Sequence, residues 1–209
     1  MTELVQRYRA ADRVNHWIVA ACFVLLTLSG LAFFHPAFFF LSFVLGGPVW
    51  SRILHPFVGI VLVLFFAGLS LRFWKENLIK PVDVQWLKRL GEVINNAEGP
   101  HHLPIGKYNA GQKLMFWAMA IAIVFLLASG IPIWRAYFAG YFWIGFTRLA
   151  FVVHLLAAIG GILALIAHVY AAIWIKGTTR AMTRGTVTAA WAKHHHPAWY
   201  QQMTQKEKQ

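Results

Sequence analysis

Long apolar runs separated by short polar stretches set the pattern of this chain. Four of the runs are long enough to cross a bilayer: residues 15–34, 53–73, 114–134 and 149–175. At about 1.5 Å per residue, some 20 apolar residues span a hydrocarbon core of about 30 Å, so each run predicts one transmembrane helix. The fourth is long enough to tilt or to project from the membrane. A fifth apolar stretch, Phe38 to Leu45, is too short to span and ends at Gly46-Gly47-Pro48, which predicts an interfacial segment or turn. The N-terminus has the basic-then-apolar order of a signal peptide, yet its run is long and no small-residue cleavage site follows it, so an uncleaved first span is expected. The predicted fold is all-α: a single membrane domain over 1–209, built as a four-helix bundle, with a loop over 75–113 and a tail over 176–209.

Lysine and arginine orient the spans, because short cytoplasmic loops are enriched in them. The N-terminal segment holds Arg7, Arg9 and Arg13. The middle loop and its edges hold Arg72, Lys75, Lys80, Lys88, Arg89, Lys107 and Lys113, and the tail holds Lys176, Arg180, Arg184, Lys193, Lys206 and Lys208. These sixteen fall on one side, against only Arg52, Arg135 and Arg148 on the other, so both termini are expected in the cytoplasm. The middle loop is expected to carry a short amphipathic piece around Val84 to Ile94. Composition agrees with a membrane location: 59% of residues are hydrophobic and 12% charged. The net charge of +12 would suit nucleic acid if it formed a solvated patch, but it lies between the apolar runs, so lipid is the expected partner and nucleic acid is not. A lone cysteine, Cys22, excludes an internal disulfide and the Cys-x-x-Cys-His attachment of a covalent haem.

Histidines carry the candidate chemistry. Ionisable groups within spans are costly and usually face a partner, a pathway or a cofactor, and His16, His55, His154 and His168 all meet that description. For any one of them alone, a hydrogen bond across helices is the ordinary alternative. Depth argues for more. The fourth helix runs from outside to inside with His154 near its outer end and His168 about 21 Å deeper, and fourteen residues are close to four whole turns, so both rings leave one face. Helix one enters from the cytoplasm with His16 at its start, and helix two enters from outside with His55 at its start. His55 thus matches the depth of His154, and His16 that of His168. Two imidazoles at each of two levels are what two six-coordinate haems stacked across a bilayer require. Small residues near the ligands leave room for a flat macrocycle: Ala20, Gly59, Ala157, Ala158, Ala164, Ala171 and Ala172. Gly160 and Gly161 serve equally well for close helix packing. A metal transporter or proton channel also buries histidines, so the constellation alone does not exclude one. His35 is expected to be structural, whereas solvated surface is the expectation for His101, His102 and His194 to His196.

A second cluster, Gly106 to Lys113, leads into the third span at the depth of His168. Asn109 and Gln112 bring hydrogen-bonding side chains to an apolar boundary, Gly111 permits close backbone approach, and a helix N-terminus supplies unpaired N–H groups. Such a corner can bind the carbonyl oxygens of a quinone. An N-terminal cap is the plainer reading of the same residues.

With these residues in hand, the chain resembles the gamma subunits of respiratory formate dehydrogenases, the cytochrome b556 subunits. The matching stretches are Asp12 to Trp17, Arg52 to Phe57, Gly106 to Lys113, Ile133 to Arg135, the His154 and His168 pair, and Trp191 to Tyr200. The Gly106 and Trp191 stretches separate this likeness from the related cytochrome b of nickel-iron hydrogenases. The resemblance implies a multi-pass protein of the bacterial cytoplasmic (inner) membrane, of di-haem cytochrome b type. It would take electrons from an outer-face iron–sulfur (beta) subunit partnered with a catalytic (alpha) subunit, and pass them through two haem b groups to a quinone, menaquinone or ubiquinone, near the cytoplasmic face. It implies His55 and His154 as axial ligands of the outer haem, His16 and His168 as those of the inner, and Asn109, Gly111, Gln112 and His168 as the quinone site. It also allows a higher oligomer of the complex. No residue in this chain is expected to oxidise formate: there is no cysteine cluster for iron–sulfur centres, and none of the seven acidic residues lies within a predicted span. The rivals are the cytochrome b subunit of a nickel-iron hydrogenase or another quinone-linked oxidoreductase and, from a different class, a haem-free transporter or anchor.

Overall fold

The computed structural model describes residues 3–95, 103–138 and 140–206; His101 and His102 lie outside them. The chain begins with a short strand β1, Leu4–Gln6, followed by a long helix α1, Ala10–Phe34. A 3-10 helix, Pro36–Leu45, leads to α2, Pro48–Phe73. Two short helices, α3 Pro81–Lys88 and α4 Leu90–Asn95, precede α5, Ala110–Ile133. A single turn, α6 Arg135–Phe138, separates α5 from α7, Ile144–Trp174. The tail folds as α8 Thr178–Arg184, strand β2 Thr186–Thr188, α9 Ala189–His195 and α10 Pro197–Lys206.

Among the described residues, four helices are long and apolar enough to cross a membrane, namely α1, α2, α5 and α7. Their 24 to 31 residues correspond to axial lengths of roughly 36 to 46 Å, more than the hydrocarbon core alone demands. Each ends within one residue of the expected limit but starts four or five residues earlier. The apolar run marks only the part that dissolves in hydrocarbon. Helical hydrogen bonding continues through polar residues such as Asp12 and Arg13, or from a proline such as Pro48, whose fixed φ suits a first turn. Leu64, Val124, Leu156 and Leu163 are exposed along these helices. Rows of exposed aliphatic side chains on that scale need lipid as their solvent.

Two compact units are distinguishable. The tail-and-loop unit comprises residues 1–13, 72–117 and 165–209; the helical unit comprises residues 14–71 and 118–164.

In the tail-and-loop unit, the two ends of the chain are joined. β1 and β2 pair antiparallel, with Leu4 opposite Thr188, Val5 opposite Val187 and Gln6 opposite Thr186. Gly185 ends α8 at φ 81°, and its carbonyl accepts hydrogen bonds from the backbone N–H of Arg7 (2.8 Å) and Tyr8 (3.1 Å). The amphipathic piece expected in the loop is two helices, α3 and α4, broken at Arg89. Trp86, Leu103, Ile105 and Ala110 form its apolar core. Against this core lies a buried ion pair: Lys113 Nζ meets Asp83 Oδ2 at 2.6 Å, with side chains 5% and 3% exposed.

The helical unit contains the short apolar segment after α1. It forms a 3-10 helix rather than an irregular turn, held at its start by His35, whose Nδ1 accepts from Ala37 N at 3.2 Å. Gly46 and Gly47 follow with φ of 89° and 101°, the left-handed region that favours glycine. Their N–H groups bond to Phe43 O and Ser42 O, and the buried Ser51 hydroxyl donates to Ser42 O at 2.7 Å, which reverses the chain into α2.

Candidate cofactor site

His55 lies on α2 seven residues past Pro48, and His154 on α7 ten residues past Ile144, so each is about 10 to 15 Å along its helix from the starting end. Pro56 follows His55 directly. It removes the N–H that the Arg52 carbonyl would otherwise accept, a local break in the helix ladder beside the imidazole. The two rings are neighbours, with centroids 6.4 Å apart and planes inclined at 56°.

Each imidazole is held by a serine from a neighbouring helix. Ser29 Oγ on α1 lies 2.7 Å from His55 Nδ1, and Ser129 Oγ on α5 lies 3.0 Å from His154 Nδ1. The hydroxyl proton of each serine is directed to a carbonyl one turn back. Ser29 donates to Leu25 O at 2.8 Å, and Ser129 to Phe125 O at 2.5 Å. With each hydroxyl proton so engaged, the oxygen is available to accept from its histidine in the tautomer that carries the proton on Nδ1 and the lone pair on Nε2. A glycine follows each serine. A Cβ at Gly30 would sit 3.8 Å from His55 Cε1, and one at Gly130 would sit 3.6 Å from His154 Cε1. Those are ordinary contacts, so the imidazoles alone do not require glycine there. The bare backbone instead leaves space beside both rings.

This arrangement fits an iron porphyrin. An imidazole nitrogen sits about 2 Å from a first-row metal and about 1 Å from its own ring centre, so two axial imidazoles place their centroids roughly 6 Å apart. Gly59 and Gly160 would carry a Cβ with no neighbour within 4 Å, whereas a Cβ at Gly161 would meet Phe23 Cζ at 3.0 Å. Gly161 thus serves close packing of α7 on α1. Among the described residues, no group of three or more His, Cys, Asp or Glu side chains could hold a metal ion by itself.

His16 lies on α1 in the helical unit, and His168 on α7 in the tail-and-loop unit, where its side chain is exposed. The corner before α5 belongs to the latter unit. There Asn109 N donates to Gln112 Oε1 at 3.0 Å, and Gln112 N donates to Asn109 Oδ1 at 2.9 Å. This is a reciprocal capping box, so the plainer reading of the two residues is present. Their side-chain oxygens face the helix end, leaving the amide N–H groups as the donors the box does not use. Gly111 admits Trp86, whose Cη2 would lie 3.2 Å from a Cβ at that position.

The tail histidines require a correction. His196 is not solvated: it is 1% exposed, with Nδ1 2.7 Å from Gly106 O and Nε2 3.3 Å from Arg7 Nη2. Burial first, and the Arg7 charge second, hold its pKa well below the usual histidine value. Arg7 itself is buried among Tyr8, Tyr108, Trp191 and Trp199, within 6 Å of each ring centre, and donates to Lys107 O at 2.6 Å. Its sequence shows only one more basic residue near a span. The aromatic enclosure is assembled from three distant segments.

A family model described as prokaryotic cytochrome b561 matches residues 7–185. The chain belongs to that family. This cytochrome is 46% identical over 201 residues to the cytochrome b556(Fdo) subunit of formate dehydrogenase from Escherichia coli K12, an alignment covering 96% of the chain and 94% of that protein. It is 40% identical over 207 residues to the cytochrome b556(Fdn) subunit of the nitrate-inducible formate dehydrogenase of the same strain, covering 99% and 94%. The cytochrome b556 subunit of formate dehydrogenase from Haemophilus influenzae is 40% identical over 197 residues, covering 94% of this chain and 82% of that protein. As a b-type cytochrome of four apolar spans, it is a multi-pass protein of the inner membrane that holds haem b.

Proposed function

We propose that this cytochrome is the membrane subunit of a formate dehydrogenase, carrying electrons from an iron–sulfur subunit on the outer face to a quinone near the cytoplasmic face. Near-full-length likeness to three formate dehydrogenase cytochrome subunits supports the choice of complex. The observation that carries the electron-transfer reading is the neighbouring pair His55 and His154, with ring centroids 6.4 Å apart, both Nδ1 atoms beside serine hydroxyls and both Nε2 atoms left to coordinate iron. Bound there, haem supplies one-electron chemistry. His55 and His154 grip the outer group, and His16 and His168 the inner.

Asn109 and Gln112 offer amide N–H donors to a quinone carbonyl, Gly111 lets Trp86 pack against the helix start beside them, and His168 lines the same corner. Protons for quinone reduction come from the cytoplasmic side. Both termini and the middle loop belong to one unit, which supports placing all three on one side of the membrane.

A reduced-minus-oxidised spectrum and haem quantification on the purified complex test this reading. Two b-type haems per chain are expected, with His55→Ala retaining the inner haem and His16→Ala the outer. Absence of a b-type alpha band, or equal loss of both haems from each folded variant, would overturn it. Mass spectrometry of the co-purifying subunits separates formate dehydrogenase from hydrogenase.

A further inference from the structure

The same device recurs on two pairs of helices. A Ser-Gly step on α1 (Ser29-Gly30) supports His55, and a second on α5 (Ser129-Gly130) supports His154. In both, the hydroxyl is buried, bonded backwards to its own helix and close to Nδ1 of the opposing ring. We infer that Ser29 and Ser129 are positioning residues for the outer haem: they fix the tautomer and the aim of both axial imidazoles and raise their donor strength toward iron. The inference rests on the haem reading above and adds the groups that set the ligands' orientation and the electron affinity of the iron.

The physical basis is the relay from Nδ1–H to serine oxygen and from serine O–H to a carbonyl. An imidazole donating its second N–H to an acceptor is held in one orientation and becomes a more basic ligand. Greater basicity favours the ferric state, so the relay lowers the reduction potential. A serine inside a helix ordinarily turns its hydroxyl back to the carbonyl one turn earlier and does nothing further. Here both hydroxyls do this while also receiving a histidine at hydrogen-bonding distance.

The test uses the full complex in native membranes, with Ser29→Ala, Ser129→Ala and the hydroxyl-retaining Ser29→Thr and Ser129→Thr. Haem retention against a competing apoprotein, the low-spin ferric spectrum and a redox titration of each haem are read together. The alanine variants should release the outer haem roughly ten- to a hundredfold more readily. The outer haem left in them should titrate at a higher potential with an altered low-spin signal. The inner haem should be unchanged, which also reports that the chain is folded, and the threonine variants should restore wild-type behaviour. Unchanged outer-haem spectrum and potential in both alanine variants would overturn the inference, as would equal damage from alanine and threonine. If the unsubstituted complex carries no haem, the functional reading itself fails, an outcome distinct from either of these.

Discussion

Replacing Lys113 with methionine should weaken the tail-and-loop unit far more than the loss of an ordinary surface charge. Lys113 Nζ and Asp83 Oδ2 are 2.6 Å apart, with both side chains at most 5% exposed, so water screens the pair little. At an effective dielectric constant of about 20, the attraction at that distance is roughly 6 kcal/mol, largely offset by the desolvation of both ions. The substitution removes the attraction but leaves Asp83 ionised and buried, a situation that typically costs about 3–5 kcal/mol. Two contacts bear on the figure in opposite directions: Asp83 keeps the Lys80 N–H at 2.7 Å, which lowers the cost, while Leu78 O loses the ammonium that donates to it at 3.0 Å, which raises it. A loss of about 3 kcal/mol is more than a hundredfold in the folding equilibrium. Urea unfolding of the detergent-solubilised protein, followed by fluorescence of the buried Trp86 and Trp199, reads it. The double variant Lys113→Met/Asp83→Leu removes the stranded charge. It should recover all but about 1–2 kcal/mol, the residual reflecting the lost α3 cap. A single-variant loss below about 1 kcal/mol, the range of exposed pairs, would refute the reasoning. A double variant no more stable than Lys113→Met would do the same.

The remaining predictions follow from other contacts. Because His196 is buried neutral with a depressed pKa, the unfolded chain takes up a proton first as pH falls; stability present above about pH 6.5 should decline below it. Urea midpoints measured from pH 8 to 5 should show this slope, and His196→Gln should flatten it. Gly185→Ala should destabilise the same unit by about 2 kcal/mol or more, since φ is 81° and the added Cβ would lie 2.8 Å from Tyr8 O; an unchanged midpoint would contradict the strand anchoring. Asn109→Ala should cost about 1 kcal/mol through the lost cap and slow reoxidation of reduced haem by quinone while haem content holds. Unaltered reoxidation in stopped-flow would remove Asn109 from the quinone corner.

The four spans were legible because solubility in hydrocarbon depends on the length and purity of an apolar run, which is a one-dimensional property. Their early starts were not, since Asp12 and Arg13 are helical through backbone bonds that hydropathy does not register. Histidines were conspicuous for their cost within a span, and periodicity placed His154 and His168 on one face of a single helix. Ser29 and Ser129 were hidden for the opposite reason. A serine in an apolar helix satisfies itself and carries no signal until an imidazole from another helix appears beside it. His196 was read as solvated surface because its burial depends on tertiary enclosure with Arg7 among Tyr108, Trp191 and Trp199 rather than on its neighbours in sequence. The Asn109 to Gln112 spacing did announce a helix start, and the capping box is what it announced.

The pairing of Leu4 with Thr188 has a consequence for biosynthesis. Translation at roughly 5–20 residues per second leaves β1 waiting some ten to forty seconds before its partner strand exists. Throughout that interval Val5 has no sheet neighbour and Arg7 lacks Trp191 and Trp199. Pairing of β1 with β2 is therefore a late folding event. A ribosome that stalls before β2 leaves an unlatched N-terminus, which proteolytic surveillance can recognise.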